Sequence, residues 1–271
     1  MSYKNTILEK IVDAKKDEIS SGRFRESLAD LKSKVRGGEA TRDFCAVFRS
    51  GSFAQELPET RIIAEIKKAS PSAGVIRPGF DPVAIAKAYL ESGAAALSVL
   101  TDAPYFQGHL DHLRTVRAVS ARPLLRKDFM IDEYQIYQAR AYGADCILAI
   151  VAILEKQQLV DFCGRAEELG LATLIEVHDE TELATALTVK SGRVLFGINN
   201  RDLKTLKIDL KTTERLRPLI RSALPVIAES GFSKREEIEG LMKAGVNGFL
   251  IGETLLKASD IKTKFNELIG R

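Results

Sequence analysis

Glu65, Lys67, Lys127, Glu176, Asn199, Glu229 and Ser230 each close or follow a short apolar run, and together they offer acid–base chemistry on an oxygenated substrate. With ordinary pKa values of about 10.4 for lysine and about 4.3 for glutamate, the lysines are proton donors and the glutamates acceptors at neutral pH. Burial is expected to bring Lys127 down and Glu176 up, closer to the pH at which proton transfer works best. Asn199 and Asn200 add amides suited to hydroxyl groups, and Arg201 adds a guanidinium suited to an anion. Gly231 beside Ser230, and Gly252 beside Glu253, let backbone amides approach a ligand, as a phosphate site requires. Each group has a plainer reading too: a surface pair for Glu65 and Lys67, a structural pair for Lys127 and Glu176, and ordinary turns for the glycines.

Residues this far apart in sequence act together only if a fold gathers them. The apolar runs lie at 61–66, 95–100, 123–125, 146–150, 172–175, 194–198, 226–228 and 248–251. Between them are helix-length segments with recognisable starts: Asp81 before Pro82, Asp132 with Gln135, Asp179 with Glu182, and Ser233 with Glu236. Such side chains satisfy amide donors that a first helical turn leaves unpaired. Strand followed by capped helix, repeated about every 25 residues, argues for βα units and a parallel sheet. No G-x-G-x-x-G follows a strand, which argues against a doubly wound open sheet. Eight units in 271 residues predict a single (β/α)8 TIM barrel, a fold that uses about 250 residues and brings all strand carboxyl ends to one mouth.

Residues 1–50 carry charged helical periodicity and are expected to form an N-terminal helical extension packed on a barrel of residues 51–271. The segment 68–80, with Ser70, Pro71, Ser72, Gly74 and Gly79, is long for a connection and reads as a cover over the mouth. Phe106 and Phe129 fall in or beside loops that follow strands, as apolar walls for an aromatic ligand or as core packing.

Forty Lys+Arg against 37 Asp+Glu leave a formal charge of +3 without a basic block, so no nucleic-acid partner is expected, whereas a small anionic substrate is compatible. The longest apolar stretch, 146–154, is short of the roughly 20 residues of a membrane span, and the amino terminus lacks a signal pattern. A cytoplasmic protein is expected. Cys45, Cys146 and Cys163 have no metal-ligand spacing and read as structural thiols, while His109, His112 and His178 lack a ligand set, so no metal is expected. No motif calls for a redox cofactor.

Five ordered stretches resemble the indole-3-glycerol phosphate synthase family: AEIKKASPS at 64–72, LRKDF at 125–129, LIEV at 174–177, GINNRDL at 197–203 and AESG at 228–231. Each sits at a different strand end, and the resemblance spans nearly the whole chain. It implies a carboxy-lyase of tryptophan biosynthesis that turns 1-(2-carboxyphenylamino)-1-deoxyribulose 5-phosphate into indole-3-glycerol phosphate, carbon dioxide and water. It further implies catalysis by Lys127 as general acid, Glu176 as base, and Lys67 or Lys127 assisting hydroxide. The phosphate would meet Ser230, Gly231, Gly252 and Glu253 with Lys67 or Arg201, and the anthranilate ring would meet Phe106 and Phe129. Glu65, Asn199, Glu229 and Ser230 would hold sugar hydroxyls, with Ser70 on the cover. A single chain acting alone is expected, with association with other pathway enzymes left open. The competing expectations are another sugar-phosphate barrel enzyme, such as an isomerase, and an idle barrel that docks in a biosynthetic complex.

Overall fold

The computed structural model describes residues 6–49 and 59–271. Among the described residues, three helices precede the first barrel strand: α1 (Ile7–Arg25), α2 (Leu28–Arg36) and α3 (Phe44–Phe48). Helix α1 forms because Leu8, Ile11, Val12, Lys15 and Ile19 fall at helical spacing and share its buried face. Helix α2 opens on a capping box, in which Ser27 Oγ accepts from the Asp30 amide and the Asp30 carboxylate accepts from the Ser27 amide. The ring of Phe48 in α3 packs where any side chain at Gly248 would collide. The proposed boundary at residue 50 lies outside the described residues.

Eight parallel strands close on themselves: β1 (Ile62–Ile66), β2 (Ala96–Leu100), β3 (Leu124–Lys127), β4 (Cys146–Ile150), β5 (Ala172–Val177), β6 (Val194–Asn199), β7 (Val226–Glu229) and β8 (Gly248–Ile251), with β8 pairing β1. The covering helices are α4 (Pro82–Glu91), α5 (Leu110–Arg117), α6 (Glu133–Ala141), α7 (Lys156–Glu168), α8 (Glu180–Ala186), α9 (Lys211–Leu216), α10 (Arg235–Lys243), α11 (Glu253–Lys257) and α12 (Ile261–Ile269). With helices outside and side chains filling the inside, the strands are buried along almost their whole length.

The chemistry-bearing residues end these strands, and the register brings them level. Glu65 pairs across from Ser98, Leu100 from Lys127, Ile150 from Glu176, and Asn199 from Glu229. Lys127, Glu176, Asn199 and Glu229 belong to the strands themselves, one or two residues beyond the apolar runs.

Asp81, Asp132 and Asp179 cap α4, α6 and α8 as the sequence predicts. The start of α10 differs: Glu237, not Glu236, falls at the third helical position, and its Oε2 accepts from the amides of Ser233 and Lys234 at 2.8 and 3.0 Å. After β1 the chain makes a small antiparallel hairpin from two-residue strands, Ala69–Ser70 and Gly74–Val75. No described helix is long and apolar enough to cross a membrane.

Candidate active site

The candidate catalytic, substrate and phosphate residues singled out above, Asn200 excepted, line one cleft at the carboxyl end of the barrel, together with Ile7, Leu8 and Ile11 of α1. Lys127 stands at its centre, with Nζ 3.1 Å from Glu176 Oε2 and 3.6 Å from Glu229 Oε2. Lys67 Nζ lies 2.5 Å from Glu65 Oε1. Two lysines and three glutamates thus share a small, poorly solvated volume. Two glycines make room for it, since a Cβ on Gly197 would overlap Glu229 Oε1 and one on Gly252 would overlap Glu65 Oε1.

The ion pairs reverse the shifts that burial alone would give. Burial works against the charged form of Lys127, but Glu176, Glu229 and Glu65 outweigh it and raise the ammonium above the usual lysine range. Glu176 shows the converse: burial pushes its carboxyl up, yet Lys127 and then His178 hold it well below the usual carboxylate range. The expectation that burial would draw this lysine down and this glutamate up is therefore corrected. Glu229 is the carboxyl moved toward neutrality. Burial first, then the Glu176 charge, outweigh the opposing pull of Lys127 and push it up to about 8. Its Oε1 is buried and finds no hydrogen-bond partner among the described residues.

His178 stands alone in sequence but not in space. Its Nε2 lies 3.4 Å from Glu176 Oε1, and its Nδ1 lies 2.9 Å from Glu182 Oε2. Burial disfavours its charge, but the bonds and charges of Glu176 and Glu182 prevail and push the imidazole up to about 10, so Glu176 has two cationic neighbours at neutral pH. The available signal is spacing: His178, just past β5, is two residues beyond Glu176 and so continues its face of the strand, and Glu182 in α8 is four residues further on.

Phe106 and Phe129 form one wall, with ring centroids 6.0 Å apart. Opposite lie Ser230 and Gly231, whose φ angles of 67° and 94° place two successive residues in the left-handed region. A non-glycine residue there is uncommon and is held by its surroundings: the Ser230 carbonyl accepts from Asn200 Nδ2 at 3.1 Å, and Ile208 and Leu210 pack where Gly231 lacks a side chain. Asn200, read from sequence as a substrate amide, is instead structural, because its Oδ1 is taken by Thr213 Oγ1 at 2.7 Å and by the Thr213 amide at 3.2 Å. Asn199 Oδ1 accepts from the Arg201 amide at 3.0 Å. The Arg201 guanidinium reaches Glu253 Oε2 at 3.3 Å and Ser72 Oγ at 3.4 Å, linking the loops after β6 and β8 to the segment after β1. Ser70 Oγ accepts from the Ala73 amide at 3.2 Å within that segment.

All three cysteines are buried and unpaired, and burial pushes the Cys45 and Cys163 thiols up to about 12. Thiols in this state are inert packing groups.

A family model described as indole-3-glycerol phosphate synthase matches residues 8–268. The chain is 46% identical over 255 residues to the indole-3-glycerol phosphate synthase of Laribacter hongkongensis, covering 94% of this chain and 95% of that one. It is 44% identical over 262 residues to that of Neisseria meningitidis serogroup B, covering 97% and 98%. Among solved structures, a tryptophan synthase complex chain from Pyrococcus furiosus superposes with a TM-score of 0.57 at 18% identity, over 79% of this chain and 99% of that one. The 3-hexulose-6-phosphate synthase of Salmonella typhimurium gives 0.61 at 8% identity, over 78% and 97%. These two share the barrel fold.

Proposed function

The chain belongs to the indole-3-glycerol phosphate synthase family, and from that premise we propose which of its residues perform the reaction. The enzyme is a carboxy-lyase of tryptophan biosynthesis that converts the carboxyphenylamino-deoxyribulose phosphate to indole-3-glycerol phosphate with loss of carbon dioxide and water. The observation that carries the assignment of roles is a lysine held between two buried carboxylates, 3.1 and 3.6 Å away, in the cleft walled by Phe106 and Phe129.

The anthranilate ring lies on that wall, and the phosphate takes the amides around Ser230 and Gly231, then those of Gly252 and Glu253, with Arg201 at the rim. Consecutive amides turned by left-handed residues favour an anion. Lys67 meets the carboxylate that will leave. Glu65, Ser70, Asn199, Glu229 and Ser230 hold the sugar hydroxyls and one another, and the unpartnered Glu229 Oε1 is suited to a hydroxyl.

In the first step the ring carbon bearing the carboxylate attacks the ketone carbon while Lys127 gives a proton to the ketone oxygen. The carbon–carbon bond to the carboxylate then breaks, its electron pair restores the aromatic ring, and carbon dioxide leaves. Lys67 protonates the departing hydroxyl as water, and Glu176 takes a proton from the methylene beside the nitrogen to complete the indole. The pairing of Lys127 with Glu176 couples the two halves. Once Lys127 has given up its proton, the larger of the two charges that hold Glu176 low is gone, His178 remains, and burial raises the basicity of Glu176 for the step that follows.

Two tests follow. With no tryptophan in the chain, product indole fluorescence rises over a tyrosine-only background, so purified protein and substrate are expected to give a rising signal that added chelator leaves unchanged. A folded protein that binds substrate without forming indole would favour the idle barrel. The pH dependence of kcat/KM is expected to fall above about 8, where Glu229 loses its proton and adds a negative charge beside an anionic substrate. Glu229→Gln should remove that descending limb; its persistence would assign the limb to another group.

We also propose that residues 1–50 act as an extension of a barrel spanning 51–271, and that the enzyme works in the cytoplasm as a single chain.

A further inference from the structure

We infer that Lys15, on α1, is a positioning residue for this reaction: its ammonium ties together the segments that follow β2 and β3, which carry Phe106 and Phe129, the second of them starting directly after Lys127 at the end of β3. This rests on the roles proposed for Lys127, Phe106 and Phe129. The Lys15 side chain is wholly inaccessible, and its Nζ lies 3.0 Å from Asp102 Oδ2, 2.9 Å from Asp128 Oδ1 and 2.7 Å from Glu18 Oε2. Glu18 is its neighbour one turn along α1. Asp102 and Asp128 are the residues just past β2 and β3, and both are fully buried.

Each aspartate shapes one loop. Asp102 Oδ1 accepts from the Tyr105 amide at 3.0 Å and its carbonyl accepts from the Gly108 amide at 2.7 Å, which folds the turn that presents Phe106. The Phe106 carbonyl in turn accepts from the Ala69 amide at 3.2 Å, fastening the segment after β1. Asp128 directly follows Lys127. Its Oδ1 accepts from the Phe129 amide at 2.8 Å, and its Oδ2 accepts from Thr101 Oγ1 at 2.5 Å and Arg126 at 3.0 Å.

Two carboxylates in a dry space repel unless a cation stands between them. Arg126 pairs with Asp128 alone, and among the described residues Lys15 is the cation that pairs with both aspartates. Burial opposes its charge, but Asp128, Asp102 and Glu18 together hold it protonated. Lys15 is also fixed to the cleft from the other side, since Ile7, Leu8 and Ile11 of the same helix line it. Without the ammonium the loops separate, and the Phe106 and Phe129 rings lose the spacing at which they grip a ring.

The test compares Lys15→Met, Phe129→Ala and their combination, with kcat and KM measured on the folded protein well below each variant's Tm. Misplacement by about 1 Å costs of order a hundredfold in rate. Lys15→Met is therefore expected to lower kcat/KM by at least about thirtyfold, and by less than about threefold when added to Phe129→Ala, because both act through one wall. A staple that only stabilises the fold would lower Tm and leave kcat and KM of the folded protein within about twofold. That outcome overturns the inference, as would full multiplication of the two losses. Should Lys15→Met fail to fold, Lys15→Met with Asp102→Asn removes one charge of each sign; a loss of at least about tenfold supports the inference and normal kinetics refute it. Unaltered kinetics in Phe129→Ala alone would refute the ring wall itself, and with it the route given to Lys15.

Discussion

Lys127→Ala is expected to lower kcat for indole formation by about 10²- to 10⁴-fold, the usual contribution of a general acid, which corresponds to about 2.7–5.4 kcal/mol of barrier. The eight-stranded barrel does not depend on this side chain, so circular dichroism should be unchanged. Substrate affinity should change far less than turnover, because the wall, the phosphate loops and Lys67 remain. Removing Lys127 also frees Glu176 from its nearest cation, 3.1 Å away, leaving His178 as the charge beside it. Burial then raises Glu176, so the residual activity should gain a dependence on an acid group at low pH that the native enzyme lacks. Turnover within about tenfold of native would remove Lys127 from the role of acid.

Glu176→Gln is expected to cost a similar 10²- to 10⁴-fold in indole formation, but to act on the other half of the reaction. Glutamine keeps the size and the hydrogen-bonding reach while losing the base. Ring closure and decarboxylation precede the step in which Glu176 accepts a proton, so the variant should release carbon dioxide in its first turnover with no matching indole. Glu229, 3.6 Å from Lys127, is the other carboxyl in the cleft that could be assigned this role. If Glu229 were the base in the native enzyme, Glu176→Gln would keep carbon dioxide and indole in step, and the two roles would have to be exchanged.

The barrel was legible because hydrophobic runs and capped helices repeat, and a parallel barrel dictates that strand carboxyl ends converge. Lys127, Glu176 and Glu229 could therefore be placed together from opposite ends of the sequence. The runs at 123–125, 172–175 and 226–228 stopped short of those residues because the inward face of a strand turns polar where it enters the mouth, although its backbone is still paired. Charge states were less legible. Burial of a lone lysine and a lone glutamate predicts shifts toward neutrality, whereas a buried pair at 3.1 Å drives both away from it, and only the geometry decides between them.

The helical periodicity of the extension is legible in its sequence, but Lys15 does not stand out there among many charges. Its signal was present: it shares a face with Leu8, Ile11, Val12 and Ile19, and a lysine on a buried face requires a partner. Asp102 and Asp128, each just past a strand end, were the partners, and nothing in local periodicity joins residues 87 and 113 positions away from Lys15.

The most direct test of the central claim is a single-turnover experiment with enzyme in excess, following loss of the substrate's arylamine absorbance and growth of indole fluorescence in parallel. The native enzyme should show both in succession, Lys127→Ala neither on the native timescale, and Glu176→Gln the first without the second. Ring closure at the native rate in Lys127→Ala, or prompt indole in Glu176→Gln, would contradict the division of labour assigned to these two residues.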